Sequence, residues 1–183
     1  MKRIKNINKI VIGAALLLGI FMMTRPAIAL DAAYSRKGPF TGIGFIGGGG
    51  VLLGDENVGL GDLGLNLQLG LGVTENLTVS LNVDNRLQIG NNVVQGMIIP
   101  GPEFSIFVAK NLYVNFGVGL AMGLKTEPQN DNAIGMNMGA SFGYEHFVNT
   151  NIAAYIGIGM DYTLLSDADD LLMFGVLMGI RYY

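Results

Sequence analysis

From Leu63 to Val73 every second residue is a large aliphatic: Leu63, Leu65, Leu67, Leu69, Leu71 and Val73. Between them stand Gly64, Asn66, Gln68, Gly70 and Gly72. Successive side chains of a β-strand point to opposite faces, so this period of two predicts a strand with one apolar face and one small or polar face. A tilted strand needs about 9–11 residues to cross the hydrocarbon of a bilayer, and this segment has that length. The alternation recurs along the chain and runs to its last residue.

Three short polar turns resemble one another: Val73-Thr74-Glu75-Asn76-Leu77, Val108-Ala109-Lys110-Asn111-Leu112 and Phe147-Val148-Asn149-Thr150-Asn151-Ile152. Each is flanked by strand residues, which is a hairpin signal. Longer polar connections lie between them, at 55–61, 90–95, 125–133 and 165–170. Three tight turns and four longer loops require eight strands, predicted at 41–53, 62–73, 77–89, 97–109, 112–124, 134–147, 152–164 and 171–183. The fold class that follows is all-β: an eight-stranded antiparallel up-and-down transmembrane β-barrel, whose closure removes the unpaired edges that lipid cannot satisfy. Short turns belong on the periplasmic side of such a barrel and longer loops outside. Two segments fit less well. Gly47 to Gly50 show no alternation, and Pro100 and Pro102 can sit only at a bulge or where the ladder is already broken.

Parity assigns the faces. Leu77, Val79, Leu81 and Val83, Leu112 through Leu120, and Ile152 through Met160 face lipid in steps of two, with Tyr144, Phe147, Tyr162 and Tyr182 near strand ends as an interfacial girdle. The opposite parity sends Ser80, Asn82, Gln88, Asn115 and Asn137 inward. It also sends inward a charged set expected to form a lumen network: Asp84, Arg86, Glu103, Glu145, Asp161 and Arg181. Buried charges are costly unless paired, so Arg86 is expected to meet Glu103 from the adjacent strand, and Glu145 to meet Arg181. Most glycines share the inward parity. They either relieve strain as the walls bend and approach, or leave a narrow cavity.

The N-terminus has a separate logic. Lys2, Arg3, Lys5 and Lys9 precede an apolar run from Ile10 to Met23, and Ala27-Ile28-Ala29 supplies a small-x-small cleavage site at Ala27 and Ala29. Residues 1–29 therefore read as a cleavable signal peptide, 30–40 as a short N-terminal periplasmic segment and 41–183 as the barrel. Cleavage removes five of the eleven basic residues and none of the fourteen acidic ones, leaving six against fourteen, a formal charge of −8. Nucleic acid is a poor partner for such a surface and is not expected as one. The hydrophobic fraction is 50% and the charged fraction 14%, below the usual quarter; a barrel exterior accommodates that excess. No cysteine is present, so disulfides play no part.

With these features the chain resembles small bacterial outer-membrane barrels of the OmpA/OmpX-like type, over about residues 38 to 183. The carriers are the signal ending Ala27-Ile28-Ala29, the eight strand-like segments, and the final strand from Phe174 to Tyr183. The resemblance implies a C-terminal insertion signal for the barrel-assembly machinery at Phe174, Val176, Met178, Ile180, Tyr182 and Tyr183. It departs from the family in ending on Tyr183 rather than Phe, and in carrying Arg181 where an aromatic is common. It implies residence in the bacterial outer membrane as a monomer among lipid and lipopolysaccharide or its equivalent. No peptidoglycan-binding domain is expected after the eighth strand.

Candidate chemistry is sparse. Gly42-Ile43-Gly44-Phe45-Ile46-Gly47 spells a dinucleotide fingerprint, but no helix pattern follows to hold a pyrophosphate. The single histidine, His146, lies beside Glu145 at a turn end, far from the outer rim where a barrel hydrolase would need it. Asp55, Glu56, Asp62, Glu127, Asp131, Asp167, Asp169 and Asp170 read as solvated loop charge, with divalent cations shared with lipopolysaccharide phosphates as the alternative; the Asp167–Asp170 run lacks EF-hand spacing. Asn76-Leu77-Thr78 is a glycosylation sequon without meaning in a bacterial turn. No catalytic residue, cofactor or metal ligand is assigned. The expected function is a non-enzymatic role in envelope structure and surface interaction. The alternative is a narrow porin-like channel for small solutes or apolar molecules; a surface adhesin is disfavoured by the short outer loops.

Overall fold

A computed structural model of the chain describes residues 34–54, 58–90, 93–125, 132–166 and 169–183. The expected signal peptide lies outside these residues, as do the loop acids Asp55, Glu56, Glu127, Asp131 and Asp167. Eight strands follow one another: β1 (Gly38–Leu53), β2 (Val58–Thr74), β3 (Leu77–Gly90), β4 (Val93–Phe107), β5 (Leu112–Lys125), β6 (Asn132–Phe147), β7 (Ile152–Leu165) and β8 (Asp170–Tyr182). Each pairs antiparallel with the next, and β1 pairs with β8 to close the barrel. Fold class and strand number are those predicted from the alternation.

Boundaries move where the pattern is silent. β1 begins at Gly38 rather than 41 because Gly38, Pro39 and Phe40 pair with Gly72, Leu71 and Gly70, and β2 begins at Val58 rather than 62 because Gly49, Gly50 and Val51 keep pairing with Gly61, Leu60 and Gly59. Backbone pairing needs no apolar side chain, so glycines carry the ladder past the reach of a hydrophobic pattern. β4 is displaced toward the N-terminus because Val108 already donates its N–H to Leu112 O across the turn at 3.0 Å. The equivalent β6–β7 turn is fixed by Asn149, whose side-chain oxygen accepts from the N–H of Asn151 and of Ile152 at 2.9 and 2.8 Å. Such local side-chain capture is what asparagine offers a turn.

The stagger of the ladder fixes the strand tilt. One circuit of paired residues runs Phe40, Gly70, Ser80, Glu103, Gly117, Gly139, Asp161, Met173 and back to Gly50. The return lies ten residues from the start, a shear of 10 for eight strands. Among the described residues the ladder shifts register between Gly72 and Thr74, beside the β2–β3 turn, and is interrupted between β4 and β5. β4 and β5 pair at Ile98↔Met122 and again at Glu103↔Gly117 in the same register, with no partners assigned between. Pro100 and Pro102 lie in that gap, and both still pair with β3, at Val83 and Leu81. A proline can donate no ladder bond, and two prolines of equal parity remove donors from one side only.

Faces follow parity in every strand. Leu63, Leu69, Leu120, Ile158 and Phe174 are among many large apolar residues left exposed on the outside, and polar residues from Asn66 to Arg181 are buried within. In water this exterior would leave a wide apolar surface unburied; in lipid it is solvated. The inward glycines make room for rings. A Cβ on Gly143 would lie 2.4 Å from the Tyr113 ring, and one on Gly44 2.1 Å from the Tyr155 hydroxyl. The aromatic girdle is only partly as expected. Tyr144 and Tyr182 face outward, but Phe147 is buried at the turn-end mouth, one parity step from the outward face, where its ring lies 5.4 Å from Tyr183.

Candidate functional site

The lumen holds three stacked layers. At the turn end, Glu145 on β6 and Arg181 on β8 are fully buried. Arg181 Nη1 donates to Glu145 Oε2 at 2.8 Å and Arg181 Nε to Gln68 on β2 at 2.8 Å. The guanidinium also sits 4.9 Å from the Tyr155 ring centre. Such stacking suits a planar, weakly hydrated cation. The other Glu145 oxygen accepts from Arg36 Nε at 2.8 Å. Arg36 precedes β1, yet its side chain enters the mouth, donates to Lys110 O at 2.7 Å, and lies 3.8 Å from the Phe107 ring centre. The Tyr183 hydroxyl donates to the same carboxylate, 3.1 Å from Oε2.

Outside the hydrocarbon span, Glu75 in the β2–β3 turn fastens the segment that carries Arg36. It accepts from Arg36 N–H at 3.1 Å and from Ser35 Oγ at 2.9 Å. These donors hold its carboxyl below the ordinary 4.5, the backbone N–H being the larger cause.

The middle layer is organised by Arg86 on β3. It pairs with Asp161 at 2.6 Å, Asp62 at 3.3 Å and Asp84 at 3.4 Å. Asn66 donates to Asp84 as well. Beside them lies a cavity of about 60 Å³ lined by side chains of Asn66, Asp84, Glu103, Asn115, Asn137 and Asp161, and by the glycines of β5 and β6. The loop-end layer is apolar: Leu52, Leu60, Met97, Ile99, Ala121, Leu171 and Met173 form one buried cluster. Met173 links the two layers, its sulfur accepting from Arg86 at 3.2 Å and Gln88 at 3.0 Å.

The structure brings Glu145 and Arg181 together and separates Arg86 from Glu103. The β3–β4 register sets Glu103 opposite Ser80 and Arg86 opposite Met97, six residues away along the strand. Arg86 turns instead to carboxylates on β2, its own strand and β7, while Glu103 faces Arg181 at 3.9 Å. Asp62 is no loop charge: it is buried within β2 beneath Arg86. Its parity with Asn66 and Gln68 was the available signal. Nothing in the alternation marks Arg36, which stands outside every strand. His146 faces outward, stacked against Tyr144 at 6.4 Å. Phe174, Val176, Met178, Ile180 and Tyr182 all take the outward face of β8, and Tyr183 lies in the mouth. Among the described residues no group of three or more acidic, histidine or cysteine side chains is disposed to hold a metal ion.

A closed eight-stranded barrel with an apolar exterior and a charged, side-chain-filled interior is the architecture of a small membrane β-barrel. Solved structures share it. Neisserial surface protein A superposes with a TM-score of 0.65 at 10% identity, covering 80% of this chain and 97% of that one. Ail, the attachment invasion locus protein of Yersinia pestis, gives 0.57 at 12% identity, covering 80% and 99%. Both are outer-membrane barrels, and at such identity the likeness is one of fold. No family model and no curated protein matches the chain.

Proposed function

We propose that the chain is a non-enzymatic outer-membrane barrel whose lumen is closed by its own side chains, and that it serves envelope structure and surface interaction. The observation that carries this reading is the fully buried Arg181–Glu145 pair, bridged to Arg36 across the turn-end mouth. An apolar cluster lies at the other end. A charged pair spanning an eight-stranded lumen leaves no file of water for a solute to follow. Lipid and lipopolysaccharide surround the exterior, the assembly machinery reads the outward face of β8, and the barrel works as a monomer. The short turns then face the periplasm.

The refolded mature chain in a planar bilayer tests this. Silent membranes are expected, together with detergent sensitivity of cells lacking the protein. Steady conductance or swelling of liposomes in small sugars would establish the narrow channel instead, for which the cavity of about 60 Å³ is the one favourable feature.

A further inference from the structure

We infer that the mid-lumen cavity is a binding site for a partly hydrated hard cation. The charges lining it do not balance: the carboxylates of Asp84, Glu103 and Asp161 face the single guanidinium of Arg86. Arg86 is also shared with Asp62. Arg181 relieves this only in part: it shares Glu145 with Arg36 and stands 3.9 Å from Glu103, so that among the described lumen residues five carboxylates face three guanidiniums. Surplus negative charge in a low-dielectric interior is costly unless a counter-charge accompanies it.

A second observation comes from neutral groups. Asn66 and Asn115 are 4% and 5% exposed, and both line the cavity. The side-chain oxygen of each is buried without a hydrogen-bond donor, as is Glu103 Oε1. Buried acceptors without donors are rare in folded proteins. Amide and carboxylate oxygens are the ligands that hard cations take. By the same measure of volume a single water needs roughly 10–15 Å³, so about 60 Å³ holds an ion and several waters. Retained water is required, since no three acidic side chains approach closely enough to enclose a bare ion. A divalent ion such as Mg²⁺, which dehydrates reluctantly and binds through one or two carboxylates, matches that combination.

The test uses the mature chain refolded in neutral detergent at pH 8, without lipopolysaccharide. The midpoint of heat unfolding is read by gel mobility in choline chloride and in MgCl₂ at equal ionic strength. At a tenfold excess over Kd, Mg²⁺ is expected to raise the midpoint by on the order of 4 °C. Glu103→Gln removes one lining charge, and Gly117→Val fills the cavity from a position where a Cβ meets nothing closer than 3.7 Å. Both should lose most of the rise, whereas Asp169→Asn in the outer loop should keep it. Two outcomes overturn the site. One is no rise in the unsubstituted protein, which means the surplus charge is carried by protons. The other is a rise retained by both lumen variants, which means loop acids bind the ion.

Discussion

Replacing Glu145 by Gln removes the one negative charge on which two guanidiniums converge. Arg36 and Arg181 each donate to it at 2.8 Å, on different oxygens, and the Tyr183 hydroxyl adds a third donor. Neutralising the hub strands two cations, one of them fully buried. Removing one member of a buried pair typically costs about 3–5 kcal/mol, mostly through the charge left behind. Replacing Arg181 by Met has a different consequence. Glu145 retains Arg36 and Tyr183, so no charge at the hub is stranded; the loss is the hydrogen bonds to Glu145 and to Gln68, about 1.5–3 kcal/mol for the charged pair. The apolar stem still fills the space between the Tyr155 and Phe40 rings. The acid is therefore expected to matter more than either base, and the double variant to cost less than the two singles added. The coupling should fall within about 0.5–3 kcal/mol. The chain has no tryptophan, so urea unfolding in detergent micelles is followed by circular dichroism and gel mobility. An Arg181→Met loss equal to or larger than that of Glu145→Gln would refute the shared-hub account. So would strict additivity.

Three further outcomes follow from the same geometry. The Glu75 carboxyl is held below 4.5 by donors present only in the folded state, so its contribution is complete above that pH and lost as pH falls through the lower folded value. A stability difference between the protein and Glu75→Gln should be flat from pH 7 to 5 and vanish in stronger acid; a difference growing on acidification would contradict the sign. Gly143→Ala drives a methyl to 2.4 Å from Tyr113 and 2.6 Å from Ile156 O, costing about 1–3 kcal/mol. Gly117→Ala, whose methyl would meet only ordinary van der Waals contacts from 3.7 Å, should be neutral or stabilising by about 0.4–1 kcal/mol, and equal losses at the two glycines would sink the packing argument. Leu67→Arg on the exposed outer face of β2 should cost about 2–4 kcal/mol in a bilayer, and no penalty there would mean that this face does not meet lipid.

What the sequence discloses here is parity, and what it withholds is register. A period of two is local, so the alternation from Leu63 to Val73 is enough to send Asn66 and Gln68 inward and six aliphatics outward. The same rule placed Asp84, Arg86, Glu103, Glu145, Asp161 and Arg181 on the lumen side. Pairing between strands depends on how far each slides past its neighbour, which a tight turn of one or two residues more or less decides. That is why adjacent strands suggested Arg86 with Glu103, while the register separates them by six positions.

Glycine hides information in another way. It extends β1 and β2 with no side chain to announce the strand, and it marks the places where a ring from the next strand needs room, as Gly143 does for Tyr113. Neither role has a period. Arg36 is the extreme case. It belongs to no strand, so no alternation reaches it, yet it closes the mouth by touching Glu145, the Lys110 carbonyl and the Phe107 ring. The residues that tune the lumen are thus those whose meaning exists only after closure. A register slip of one residue would reverse the face of an entire strand, whereas a slip of two keeps every face and exchanges every partner.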